Sequence, residues 1–135
     1  DSMDPLKYYL TRGVSFIASG FSSKPRDLSK LILAGINHPG FSIVHVQSPC
    51  TTYNDVTDVL KGNARKGIQP LAYDISEDHD SGDAEAAHAV MSAPGVPLGI
   101  LYENTDRPTF TQRIEDTHTQ AKPSTPQELL NTFEF

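Results

Sequence analysis

The chain has 135 residues, enough for one modest hydrophobic core and too few for two. Hydrophobic residues make up 37% and charged residues 21% of it, the composition of a soluble globular domain at the polar end of that class. A net charge of -6 with scattered lysines and arginines excludes a nucleic-acid partner as an expectation, because phosphate binding needs clustered positive charge.

No apolar run reaches the roughly 20 residues a bilayer demands, so no membrane span is expected. Asp1-Ser2-Met3-Asp4 is acidic where a secretory signal is basic, which makes cytoplasmic the simplest address. The densest basic group, Lys61, Arg65 and Lys66, reads as a solvated helix face. Cys50 is the sole cysteine, so neither an internal disulfide nor an all-thiolate metal site can be completed within the chain.

In chain order, Asp4-Pro5 gives an N-cap followed by proline at the first helical position, where a missing N–H costs nothing. Leu6, Tyr9 and Leu10 then share a face, and Gly13 stops the helix. Val14 to Ala18 suits a short buried strand. Ser23 is the expected cap of a helix from Pro25, with Leu28, Leu31, Ile32 and Ile36 on one side. Asn37-His38-Pro39-Gly40 ends that helix, and Phe41 to Val46 has the β-branched content of a second strand.

Strand, helix and strand at this spacing predict a βαβ unit with parallel strands and a right-handed crossover, hence an α/β class. Asp83 caps a further predicted helix carrying Ala86, Ala87, Val90 and Met91. Ala93-Pro94-Gly95 breaks it before a strand over Val96 to Tyr102. The division is therefore residues 1–50 as a βαβ part, 51–113 as a C-terminal subdomain, and 114–135, with Pro123 and Pro126, as a polar tail or arm.

The run from Gly40 to Asp55, a strand into Ser48-Pro49-Cys50-Thr51-Thr52-Tyr53-Asn54, resembles a signature of the β subunits of 2-oxoacid:ferredoxin oxidoreductases. Gly13 to Ser22 is similar to the family's strand with its Gly-Phe-Ser ending. Asp78-His79-Asp80 with Asp83 and Ala86-Ala87 resembles its His-Asp segment, and Val96 to Tyr102 with Arg107-Pro108-Thr109 its closing strand and turn. The likeness spans roughly residues 5 to 113 by motif order.

What the resemblance implies is the C-terminal part of a thiamine diphosphate-binding fold. The parent enzyme decarboxylates a 2-oxoacid onto coenzyme A and passes electrons through iron–sulfur clusters to ferredoxin, with an α subunit as partner. Cys50 is carried over as one thiolate ligand of a [4Fe-4S] cluster, the chain's one expected metal residue; no catalytic or cofactor-binding residue is assigned. The family's Gly-Asp-Gly motif, which holds magnesium and the diphosphate, is absent, as are its Cys-x-x-Cys pair and another cysteine. The expectation is therefore a chain that lacks the N-terminal part of the β subunit, binds thiamine diphosphate, magnesium and [4Fe-4S] only within the parent enzyme, and is inactive alone. Pyruvate and 2-oxoglutarate are both open as substrates.

Two other readings stand beside this one. A non-catalytic α/β interaction subunit would use its uncovered sheet edge to hold a partner, and either version predicts association into an oligomer. Another thiamine diphosphate enzyme is disfavoured by the Ser-Pro-Cys-Thr loop. For Cys50 itself the plain alternative is a small buried thiol. His79 with Glu77, Asp78, Asp80 and Asp83 reads as an acidic loop capping the next helix, and His45 as a hydrogen-bonded core residue.

Overall fold

The computed structural model describes residues 4–121 and 125–133. Helix α1, Pro5–Thr11, starts as its sequence predicts: the Asp4 carboxylate accepts from the amides of Leu6 (3.0 Å) and Lys7 (3.4 Å). Gly13 then turns the chain at a φ of 77°, a left-handed conformation glycine adopts without strain. Strand β1, Phe16–Phe21, is buried along its whole length. It begins later and runs further than the apolar run alone suggests, because Ser19 and Gly20 are enclosed between neighbouring strands.

Helix α2, Pro25–Asn37, crosses back, and β2, Ser42–Gln47, pairs with β1 in parallel from Phe16 opposite Ser42 to Phe21 opposite Gln47. This is the expected βαβ unit. A second unit, not expected from the sequence, follows. Strand β3, Ala72–Asp74, leads through helix α4, Ala84–Ser92, into β4, Val96–Glu103, again in parallel. The two units meet at an antiparallel β1–β4 seam, so the sheet has the order β2-β1-β4-β3 and is mixed, where a parallel sheet was expected. Hydropathy marks β1, β2 and β4 but carries no information on which way two distant buried strands run past each other.

At the seam Ile17 faces Tyr102 while Ala18 faces Ile100, leaving Leu101 as the extra residue of a bulge. Leu101 is fully buried with Leu6, Val14, Ile17, Ala87, Met91 and Tyr102 on the face covered by α1 and α4. The Asp83 carboxylate caps α4 through the amides of Glu85 (2.9 Å) and Ala86 (3.3 Å), as predicted. Helix α3, Thr57–Lys61, places Leu60 against Phe21 and Leu98 in a smaller cluster.

The α2 cap is a correction. Lys24, not Ser23, is the N-cap, with no side-chain cap bond, and its ammonium reaches Asp74 at 2.7 Å instead. With Pro25 first in the helix, one amide that would need a cap is missing anyway. The expected apolar side of α2 is split. Leu28 and Leu31 lean on the sheet, whereas Ile32, Leu33 and Ile36 are exposed, Ile36 at 73%. Gly35 makes the close approach to the sheet, since a Cβ there would sit 3.2 Å from Val44 and 3.4 Å from Phe16.

The last stretch is helical. Helix α5, Phe110–Gln120, and helix α6, Pro126–Asn131, each open on a capping box, from Thr109 with Gln112 and from Thr125 with Glu128, and neither buries a residue. The expected 114–135 tail thus holds most of α5 and all of α6 among its described residues, while Pro123 lies outside them. No described helix is long and apolar enough to cross a membrane.

Candidate functional site

Strand β2 ends at Gln47, whose carbonyl accepts from the Ser22 amide at 3.0 Å, and Ser48 leads into Pro49 as a residue biased to extended backbone. Cys50 follows in a tight loop. The Asn54 amide donates to the Cys50 carbonyl at 3.0 Å, closing a turn over Thr51, Thr52 and Tyr53. The Cys50 thiol is exposed and free, where a lone cysteine is more often buried.

Hydrogen bonds from the backbone of Tyr53, then Thr52 and Asn54, hold the Cys50 pKa below its ordinary value against partial desolvation and the nearby Asp55 charge. Asp55 is itself held as a carboxylate by the Thr57 hydroxyl and amide, the latter at 3.1 Å. Hydrogen bonds to the charged form of a thiol favour the thiolate, the form that attacks electrophiles and binds soft metals. Tyr53, beside it, is 92% exposed, so the loop presents a sulfur and an aromatic ring to whatever packs there.

The other candidates have structural roles. His79 donates through its Nε2–H to the Leu101 carbonyl at 2.9 Å, tying the loop before α4 to the bulge of β4. His45 is half-buried on edge strand β2, 3.5 Å from the Gln47 amide, and so is not the core histidine expected. Lys66 pairs with Asp58 at 2.6 Å in solvent. Among the described residues no group of three His, Cys, Asp or Glu side chains is arranged to hold a metal ion.

Sequence reasoning missed a second constellation, at the other end of the sheet. Buried His38 lies with Nε2 2.9 Å from the Ser15 hydroxyl and Nδ1 3.6 Å from Glu103. These residues come from the approach to β1, the end of α2 and the end of β4, and no local spacing links them. Above Ser15 opens a cleft of about 470 Å³ between the α1–β1 turn, the α2–β2 turn and the start of α5.

Residues 50–119, more than half of the chain and beginning at Cys50, match the family described as the C-terminal part of the pyruvate ferredoxin oxidoreductase beta subunit. The chain belongs to this family. Subunit beta of 2-oxoacid:ferredoxin oxidoreductase 2 from Aeropyrum pernix is 29% identical over 122 residues, covering 85% of this chain and 40% of the relative. The 2-oxoacid:ferredoxin oxidoreductase subunit beta of a Sulfolobus species is 25% identical over 122 residues, again with 85% and 40% covered. A solved structure of 2-oxoglutarate:ferredoxin oxidoreductase from Magnetococcus marinus with 2-oxoglutarate, coenzyme A and succinyl-CoA bound superposes with a TM-score of 0.74 at 30% identity. That superposition takes in 100% of this chain and 46% of the neighbour. The chain thus spans about two fifths of the length of the curated family members it matches.

A [4Fe-4S] cluster takes four thiolates, and the Cys50 turn suits one corner of it: an exposed sulfur, charge-stabilised by amides. It does not suit a whole cluster, since the chain has one cysteine. For thiamine diphosphate and magnesium the described residues offer no carboxylate cluster. Their fit to that cofactor is poor.

Proposed function

We propose that this chain is the C-terminal part of the β subunit of a 2-oxoacid:ferredoxin oxidoreductase, with Cys50 as one thiolate ligand of a [4Fe-4S] cluster. In this reading thiamine diphosphate, magnesium and the other three thiolates are held by residues outside these 135, in the rest of the β subunit. The α subunit, coenzyme A, a 2-oxoacid and ferredoxin are the partners and substrates of the assembled cytoplasmic enzyme. The chain alone carries out no turnover.

The observation that carries the reading is the exposed Cys50 sulfur in the tight loop directly after β2, where the turn's hydrogen bonds favour the thiolate. Hydrogen bonds to a ligating sulfur withdraw charge from it and raise the reduction potential of the iron it binds. A bound cluster would supply a one-electron path. The contribution of this chain is to aim the sulfur from the end of a strand, favour its ionised form and tune it.

Interaction through the exposed apolar row of α2, Ile32, Leu33 and Ile36, fits the same reading and also the alternative of a purely non-catalytic subunit. The deciding experiment is Cys50→Ser in the assembled enzyme, followed by electron paramagnetic resonance of the reduced protein. Loss or alteration of one [4Fe-4S] signal, with a strong fall in ferredoxin reduction, is expected because such a cluster takes four thiolates. An unchanged spectrum with full activity refutes the ligand role and leaves the non-catalytic reading.

A further inference from the structure

Three of the chain's five arginines, Arg12, Arg107 and Arg113, line the cleft above Ser15. No aspartate or glutamate lines it with them, and none of the three forms a salt bridge among the described residues. In a chain of net charge -6 this is a local reversal of sign. Like charges gathered in a concave surface repel one another, and the field they make there attracts an anion more strongly than the same charges on a convex face.

The arginines are set by the fold. Arg12 ends α1 with its guanidinium 5.9 Å from the Tyr8 ring centroid. Arg107 donates to the Gly13 carbonyl, which ties the β4–α5 connection to the turn before β1. Its guanidinium occupies the space a Cβ on residue 13 would need. Arg113 stands one turn into α5, whose N-terminus opens on the same cleft. The positive end of that helix adds to the field but is secondary to the three side chains. Two exposed rings, Phe41 at 66% and Phe110 at 77%, complete the walls.

We propose that this cleft binds a nucleotide phosphate, the arginines taking the phosphate oxygens and a phenylalanine ring stacking on the base. Guanidinium groups match phosphate geometry through paired N–H donors, and exposed aromatic faces are the usual platform for a planar base. The Ser15 hydroxyl on the floor, fixed by His38 and 3.3 Å from the Phe41 carbonyl, is a further polar contact. The cleft lies where β1 and β2 begin and β4 ends, whereas Cys50 follows the far end of β2. The inference therefore stands independently of the cluster-ligand reading, and its test reads binding, not turnover.

The same chemistry has two sources, a free nucleotide or the nucleotide end of coenzyme A, and calorimetric titration of the full 135-residue chain separates them. ADP and inorganic pyrophosphate should bind saturably, weaken as salt rises, and outcompete adenosine. Arg113→Ala and Arg12→Ala should each weaken ADP about tenfold, the loss of one charge-assisted contact, with melting temperatures unchanged because both side chains are exposed. Arg107 is left intact because it holds the Gly13 carbonyl. Cys50→Ser should bind ADP as the parent does. Coenzyme A binding about tenfold tighter than ADP assigns the site to the coenzyme, and equal or weaker binding assigns it to free nucleotide. Absence of saturable binding to ADP and pyrophosphate overturns the proposal. So does adenosine binding as tightly as ADP, or both arginine variants binding as the parent does.

Discussion

His38 Nε2 lies 2.9 Å from Oγ of Ser15, and both residues are withdrawn from solvent. The contact exists because His38 leaves α2 in an extended conformation, φ -66° and ψ 132°, as a residue before proline prefers. That turns the ring in under β1, where it tilts against Phe16 at a centroid distance of 5.4 Å. Its other nitrogen has no hydrogen-bond partner within range, only Glu103 at 3.6 Å.

Removing the hydroxyl should therefore leave a buried imidazole with both nitrogens unsatisfied. Ser15→Ala is expected to cost about 1–3 kcal/mol, the usual penalty for orphaning a buried polar group. Urea unfolding measures it, and an unshifted midpoint would show that the Ser15–His38 bond adds nothing net.

Gly40 packs directly over this pair. A Cβ there would overlap the Ser15 hydroxyl and stand 2.9 Å from His38 Nε2, inside any normal contact. Gly40→Ala should destabilise by about 1–3 kcal/mol through overpacking. The double variant with Ser15→Ala should recover part of that loss, since the clashing oxygen is gone; strict additivity of the two penalties would count against the clash.

The Cys50 turn makes a pH prediction. Its amides stabilise the thiolate, so the folded pKa lies below the unfolded one, and the folded state binds fewer protons between the two values. The resulting contribution to stability is present above the unfolded pKa and is lost as pH falls through the folded pKa. Alkylation of Cys50 by iodoacetamide should show a midpoint below the ordinary cysteine value of about 8.5 in the native chain, moving up on denaturation. Coincident native and denatured midpoints would rule out stabilisation of the thiolate by these amides.

Ile36, 73% exposed beside Ile32 and Leu33, offers a test of association. Ile36→Glu should change stability by no more than about 0.5 kcal/mol, being a surface substitution. Light scattering should nonetheless show weaker self-association of the chain, because a carboxylate now interrupts the apolar row. A clean monomer already present in the parent chain at high concentration would remove the premise.

What the sequence determined by itself is local. Asp4 and Asp83 cap helices through amides two and three residues on, Pro39 and Gly40 stop α2, and the strand before Ser48-Pro49 delivers Cys50 to a loop. Each depends on neighbours within one turn or one strand, so residue type and spacing suffice. The resemblance singled out Cys50, but the amides that hold its sulfur appear only once the turn is closed by the Asn54–Cys50 bond.

The tertiary structure decided the rest. Strand β3 has three residues and no periodicity of its own; it exists because β4 offers it a ladder. The antiparallel seam, the bulge at Leu101 and the meeting of Ser15, His38 and Glu103 join residues far apart in the chain, where no spacing rule operates. The cleft with its three arginines is likewise a product of topology: α1, the β4–α5 connection and α5 carry one each, and only the closure of β4 onto β1 brings them to the same edge. Charge scattered evenly along the sequence became charge gathered in space because strand pairing, not sequence distance, sets which side chains are neighbours.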